Sequence, residues 1–181
     1  MIPAAAQTLA EILSSGTSLV STEQIDFDHP GRRQNLRPGL NLYCYDLREN
    51  DTIQYTSQLA QGMNLQAQPD SLLKNRHPRW FDVAFLVSAW DFTALGEQHL
   101  LSEALTLLLP HRLLREDLLV PALRGYGNLP MTVSADLAIN TVALWSALGV
   151  PLRPALYVTV TIPFCLRGET ASKKSLLTPT P

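Results

Sequence analysis

The clearest β-strand in the sequence is the stretch Pro154-Ala155-Leu156-Tyr157-Val158-Thr159-Val160-Thr161-Ile162. Its aliphatic side chains occupy every second position from Leu156, and a tyrosine and two threonines occupy the positions between them. Successive side chains of a strand point to opposite faces of a sheet, so this alternation is typical of a strand with one face on the core. The stretch therefore predicts a fold built around a β-sheet.

Two further stretches have the composition of sheet strands. Residues 79–90 are almost continuously apolar, interrupted only by Asp82 and Ser88, as expected of a strand that is buried on both faces. Residues 40–49 are rich in aromatic and aliphatic side chains. The turn signal that follows them predicts that residues 52–55 return as a hairpin partner. A short strand is also predicted at residues 24–28.

Helical spacing of apolar side chains predicts three helices, at residues 3–14, 96–109 and 135–148. Gly16, Pro110 and Gly149 follow their last turns and act as stop signals. Residues 110–131 are ambiguous, with one helical turn at 115–120 and then a loop rich in glycine and proline. We therefore expect an α+β fold, with a single mixed or antiparallel β-sheet and about three helices packed on it.

The length of 181 residues, or 20.0 kDa, argues for one domain. We place this domain at residues 1–165. Residues 56–78 are polar and aperiodic, and a stretch of that length inside a domain predicts an extended functional arm. Residues 166–181 are small and polar and are predicted to form a flexible C-terminal tail.

Charge and hydropathy exclude several classes of partner. The net charge is −2 and the pI is near 6.0, so no global attraction to nucleic acid or to an anionic membrane is expected. No apolar window reaches the roughly 18 residues of a spanning helix, and the N-terminus lacks the basic region of a signal peptide, so we expect folding in the cytoplasm. Charged residues make up 17%, against about 25% in typical domains. A lightly charged surface is the first indication of an assembly subunit whose neighbours cover part of it.

Motifs for catalysis, cofactors and metals are missing from the sequence. There is no Gly-x-Gly-x-x-Gly, no Walker motif and no Gly-x-Ser-x-Gly. None of the four histidines pairs with a second histidine or a cysteine at metal-ligand spacing. Cys44 and Cys165 lie in apolar runs and are expected to be free, buried and inert. The sequence therefore offers no recognisable catalytic constellation, and we predict no cofactor and no metal.

Two titratable residues support a competing class, a small enzyme or ligand-binding domain. Asp82 lies in an apolar strand, where a carboxylate must find a partner or shift its pKa. We expect it near the exposed start of that strand, paired with an arginine such as Arg79 or one from a loop. His99 follows Glu97 at the start of the second helix and is expected to be a surface or interface histidine.

Basic side chains cluster in two segments, and we take six of them as candidate partner-binding residues: Arg32, Arg33, Arg37, Lys74, Arg76 and Arg79. Eleven of the 14 basic residues are arginine, which favours bidentate pairing with carboxylates and is enriched at interfaces. Docking onto acidic protein partners competes with the simpler interpretation of solvated loop charge. Nucleic-acid binding is disfavoured because no aromatic residues interleave these arginines.

Five stretches, taken in their order and spacing, carry a family resemblance: residues 40–50, 80–90, 97–101, 144–149 and 153–160. Together they resemble the cap, or tail-terminator, proteins of phage-tail-like contractile injection systems, over about residues 3–163. The most specific parts are two strand ends. One is residues 42–50, with the pattern Leu-Tyr-x-Tyr-Asp-x-Arg-Glu-Asn, and the other is Ser88-Ala89-Trp90.

The resemblance implies a structural protein rather than an enzyme. Such caps form a homo-hexameric ring that closes the end of the inner tube and sheath away from the baseplate and fixes the length of the particle. The implied partners are further copies of the chain, the sheath protein and the inner tube protein. We expect residues 29–38, the arm and the tail to contact them. The implied location is a particle that stays in the cytoplasm, is anchored at a membrane or is released. Another ring or adaptor component of the same particle is the alternative.

Overall fold

The computed structural model describes residues 1–16, 22–32, 37–53, 78–134 and 140–164. Its helices are α1 (Ile2–Ser14), α2 (Ala94–Leu108) and α3 (Thr141–Ala147). Its strands are β1 (Ile25–Asp26), β2 (Gly39–Glu49), β3 (Arg79–Trp90), β4 (Leu113–Leu114), β5 (Leu129–Ser134) and β6 (Ala155–Phe164). The predicted arm at 56–78, except Pro78, and the predicted tail at 166–181 lie outside these residues.

The strands of the described residues form one six-stranded sheet in the order β1-β2-β3-β6-β5-β4. β1 runs parallel to β2, and each of the other neighbouring pairs is antiparallel. The prediction of an α+β fold with a single sheet is confirmed. The sequence left open whether the sheet is mixed or antiparallel, and the structure shows that it is mixed.

The centre of the sheet is β3, which pairs with β2 on one side and with β6 on the other. Phe85 lies opposite Cys44 in β2 and Val158 in β6. Residues 83–89 are all buried, so the prediction of a strand covered on both faces is confirmed.

Helices cover both faces of this sheet. α1 and α2 lie on the face that carries Val83, Phe85 and Val160, and these residues belong to one buried cluster. α3 lies on the opposite face, where Trp145 packs with Leu86 and is 1% exposed. Each large apolar side chain buried in this way contributes about 1.5–3 kcal/mol to folding.

Two helix starts are fixed by capping side chains. Thr93 Oγ1 accepts a 3.0 Å hydrogen bond from Gly96 N at the start of α2. Asn140 Oδ1 accepts bonds from Val142 N and Ala143 N at 2.9 and 3.2 Å, and Asn140 itself has an extended backbone. The described part of the third predicted helix therefore begins at Thr141, because Asn140 caps it. Residues 135–139 of that prediction lie outside the described residues.

The predicted hairpin partner at residues 52–55 is also wrong over its described part. Residues 51–53 are helical, and residues 54 and 55 lie outside the described chain. Asn50 Oδ1 accepts a 3.0 Å bond from Ile53 N. Asn50 therefore caps a helical turn, where the sequence suggested a strand-to-strand turn.

The ambiguous stretch from residue 110 contains short elements. Two 3₁₀ turns, Glu116–Leu118 and Pro121–Leu123, replace the single predicted helical turn. Gly125 and Gly127 have φ values of 92° and 77°, which only glycine adopts readily. The chain then enters β5, a strand that the sequence did not predict. The helices of the described residues include none with the length and apolar character to cross a membrane.

Candidate partner-binding surfaces

The three predicted basic residues that the structure describes, Arg32, Arg37 and Arg79, do not converge on one surface. Arg32 ends a 3₁₀ turn and is exposed, as is Arg37. Gly39 pairs with Trp90, so Arg37 lies near the end of β3 opposite to Arg79. Arg33, Lys74 and Arg76 fall outside the described residues.

Arg79 has a partner within the chain. Its Nε donates to Glu49 Oε1 at 2.7 Å, and its Nη2 contacts Glu49 Oε2. The guanidinium carbon lies 5.9 Å from the centre of the Phe81 ring. Hydrogen bonding to Glu49 raises the pKa of Arg79 above its ordinary value. Arg79 therefore joins the ends of β2 and β3, and this role competes with partner binding.

Asp82 is bound by neutral donors, and Arg79, its expected partner, pairs with Glu49 instead. Thr161 Oγ1 donates to Asp82 Oδ1 at 2.6 Å, and Asn50 Nδ2 lies 3.0 Å from both carboxylate oxygens. These three residues join β6, β3 and the end of β2. The arrangement holds strands together and lies on the sheet face away from α1 and α2.

His99 and Asp82 do not form a common site. His99 lies on α2, with its side chain 71% exposed, and its Nε2 is 3.1 Å from Glu103 Oε1. The expectation of a surface histidine is confirmed. Among the described residues, no group of three or more His, Cys, Asp or Glu side chains is arranged to hold a metal ion.

Cys44 is a free thiol in β2, half-buried where full burial was expected. Burial raises the pKa of this thiol above its ordinary value. Cys165 lies outside the described residues.

Both edges of the sheet have stretches without a paired strand in the described part of the chain. At one edge, β1 pairs only with Leu40 and Asn41, so residues 42–49 of β2 have an unpaired side. At the other edge, β4 pairs with Leu129 and Pro130, which leaves the outer side of residues 132–134 unpaired. Unpaired edges present backbone donors and acceptors that another chain can extend by strand addition.

A hollow lies beside each edge, on the face that carries α1 and α2. The β2-edge groove, of about 290 Å³, is lined by residues of α1 and by Phe27, Leu42 and Cys44. The β5-edge pocket, of about 350 Å³, is lined by residues 130–133 and by four residues at the end of α2 and after it: Leu108, Leu109, His111 and Arg112.

Large apolar side chains are exposed near these hollows and at one end of the sheet. Phe92 and Leu95 are 78% and 77% exposed. Leu152, also exposed, precedes Arg153, which contacts Trp90 and Glu97. Phe27 is exposed beside the β2 edge, and Leu109 and Leu113 are exposed beside β4 and β5. Exposed apolar side chains grouped in this way are typical of interaction sites.

Sequence reasoning missed these surfaces, although two signals point to them. α2 and its flanking residues contain more leucines than one buried face of a helix can hold. Two of these leucines, Leu95 and Leu109, are exposed. Phe27 lies between two aspartates, a context that disfavours burial. The arginine clusters led to a prediction of charged partner-binding residues, whereas the side chains exposed at these surfaces are largely apolar.

Comparison with known proteins gives one family. The family model described as the Pvc16 N-terminal domain matches residues 4–178. No curated protein matches the sequence.

Two structures determined by cryo-electron microscopy are similar in fold. The first is the sheath/tube terminator of PVC, an extracellular contractile injection system, in the extended state. It is 17% identical, with a TM-score of 0.60, and the match covers 100% of this chain and 62% of that one. The second is the tube-terminating cap of the anti-feeding prophage, at 18% identity and a TM-score of 0.52, covering 98% of this chain and 59% of that one. This chain thus spans about three fifths of the length of either structure.

Proposed function

Because the chain belongs to the Pvc16 N-terminal domain family, we propose that it is the terminator, or cap, of a contractile injection system. In this role six copies form a ring that closes the end of the inner tube and sheath away from the baseplate. The ring stops further addition of tube and sheath subunits and thereby fixes the length of the particle. The chain acts as a structural subunit without catalysis.

The observation that carries the proposal is the likeness of the whole chain to a sheath/tube terminator. A match over part of the chain could reflect a shared sheet motif alone. Here the sheet and the helices on both faces are included, and a second cap structure has the same fold. Function is carried by surfaces rather than by folds, so the surfaces must also suit a ring.

The surfaces of the chain suit a cyclic assembly. A closed ring requires two different surfaces on each subunit, because each copy contacts its two neighbours head to tail. Unpaired stretches of β2 and β5 lie at opposite edges of the sheet, each beside a hollow. The chain thus has two distinct surfaces of the required kind.

Contacts with tube and sheath are assigned to other surfaces. Phe92, Leu95 and Leu152 project from one end of the sheet, away from its edges, and we assign them to the tube or sheath. The exposed Arg32 and Arg37, with Arg33, Lys74 and Arg76, remain candidates for acidic partners.

The test is the length of particles assembled without the protein. Deleting its gene should broaden the length distribution of tube and sheath, and re-expression should restore one length. Electron microscopy of negatively stained particles measures both distributions. An unchanged single length in the deletion strain would contradict the proposal.

A further inference from the structure

We propose that Phe27, with its flanking aspartates, docks into the β5-edge pocket of a second copy of this chain. The inference rests on the proposed ring, and it specifies which two surfaces meet. The β1 knob, as named here, consists of Asp26, the last residue of the short parallel strand β1, and of Phe27 and Asp28, which follow it. The β5-edge pocket lies at the other edge of the sheet.

The β1 knob has a backbone that is fixed before any partner arrives. Asn41 is fully buried, and its Nδ2 donates to the carbonyl oxygens of Asp28 and Asp26 at 2.8 and 3.3 Å. Asp28 N donates to Asp26 Oδ1 at 2.9 Å. Phe27 is 45% exposed on this fixed turn. A preorganised aromatic side chain loses little conformational entropy on binding, which is the property of an interface anchor.

The β5-edge pocket has the size and lining to receive an aromatic ring. Its volume is about 350 Å³, and Leu108, Met131 and Val133 supply apolar walls. Leu109, 56% exposed at its rim, would lose solvent contact when a ring enters. Burying apolar surface of this kind contributes roughly 25 cal/mol per Å².

Charge is complementary between the two surfaces. Asp26 and Asp28 flank Phe27, whereas Arg112 and His111 flank the pocket. Within the described residues, neither Asp28 nor Arg112 has an ion-pair partner. The C-terminal end of α2 carries partial negative charge, so the pocket accepts carboxylates only while Arg112 is present. Arg112 therefore selects the acidic β1 knob.

The contact must join two molecules. β1 and β5 are separated in the sheet by β2, β3 and β6. At a strand spacing of about 4.8 Å, the two lie roughly 19 Å apart within one chain. A contact between opposite edges is heterologous, and repeating it generates a ring or an open filament.

Disulfide cross-linking tests the contact. The chain carries Asp28→Cys and Arg112→Cys in a background with Cys44→Ala and Cys165→Ala, and is oxidised as purified protein and in assembled particles. The expected result is a ladder of covalent oligomers that ends at the ring. The control pairs Asp28→Cys with His99→Cys, an exposed position at the other end of α2, and should remain monomeric. Absence of the ladder from both samples would overturn the inference.

Charge exchange provides a second, independent test. Asp28→Arg alone and Arg112→Asp alone should each weaken self-association by about tenfold or more, because each places like charges together. Both changes in one chain should restore association. Thermal melting equal to that of the wild type shows that each variant is folded. Wild-type association by both single variants would contradict the inference.

The two proposals fail separately. If the single variants still cap particles at normal length, the docking surfaces are wrong while the terminator role stands. If the ladder forms but the deletion strain keeps its single particle length, the contact stands and the terminator role fails.

Discussion

Thr161 donates a 2.6 Å hydrogen bond to Asp82 across the β3–β6 pair, and Asn50 binds the same carboxylate from the end of β2. Three consecutive strands of the sheet are therefore joined by one side chain. Neutral donors satisfy the carboxylate, and no arginine in the described part of the chain pairs with it. The bond network assigns Asp82 to the stability of the sheet.

The first prediction concerns Asp82. Asp82→Ala should lower the free energy of unfolding by about 1–3 kcal/mol, because Thr161 and Asn50 lose their acceptor. Urea denaturation measures the change. Thr159→Ala, on the same strand and face as Thr161, serves as a control and should change stability by less than about 0.5 kcal/mol. An equal effect of the two variants would contradict this role of Asp82.

The second prediction concerns Arg153, whose guanidinium carbon lies 3.7 Å from the centre of the Trp90 ring. The Nη2 atom of Arg153 lies 3.5 Å from Glu97 Oε1, and its Nη1 donates to Ala89 O at 3.3 Å. The side chains of Arg153 and Glu97 are each 23% exposed. Arg153→Ala should cost about 1–2 kcal/mol of stability, since a partly desolvated cation–π contact is lost with the ion pair.

Two controls accompany that measurement. Arg153→Lys should recover only part of the loss, because lysine lacks the planar group that stacks on the indole. Arg115→Ala removes an exposed pair with Asp117 and should have almost no effect. Full stability of Arg153→Ala in thermal melts would show that the stacking contributes nothing.

The third prediction concerns Thr8, which is fully buried in α1 and accepts a 3.2 Å bond from Val120 N. Thr8→Val keeps the shape but leaves that amide unsatisfied, at a cost of about 1–3 kcal/mol. Thr8→Ser keeps the acceptor and loses one methyl group, at about 0.8 kcal/mol. If serine destabilises the fold more than valine does, the hydrogen bond is not what stabilises this contact.

The fourth prediction concerns the reactivity of Cys44. Burial raises the pKa of its thiol, and only the thiolate reacts with iodoacetamide. In a Cys165→Ser variant, the alkylation rate of the folded protein should rise with pH to a midpoint above that of the same chain in urea. A midpoint equal to or below that of the unfolded chain would contradict the burial of this thiol.

The long strands follow from the sequence because their periodicity matches their burial. Residues 154–162 alternate, and the structure has β6 over Ala155–Phe164. β5 was not found in this way, because Pro130 disfavours a strand and the alternation of Leu129, Met131 and Val133 lies within an element of only six residues. Its pairing with β6 supplies what local propensity lacks.

Turns were the less predictable part because one residue type serves two purposes. Asn50 and Asn140 both cap helical turns, yet asparagine is equally common in strand turns. The local sequence does not distinguish a helix cap from a strand turn at these asparagines. At Asn50, the helix cap is favoured by a hydrogen bond from its side chain to Asp82, which lies 32 residues further along the chain in β3.

The sequence predicted that part of the surface is covered by partners, but it did not predict which residues form that surface. Low charge indicated a covered surface, but the residues that project depend on how the elements pack. Phe27 is exposed because β1 is only two residues long and the chain turns there. Among the emphasised arginines that the structure describes, Arg37 lies near the opposite end of β3 from Arg79, and Arg79 is paired with Glu49.

The central claim is the terminator role, and cryo-electron microscopy of intact particles that carry this protein tests it most directly. The account predicts six copies of this fold in one ring, at the end of tube and sheath away from the baseplate and at no other place. Finding the chain along the shaft, at the baseplate, or in a different copy number at the end would contradict it.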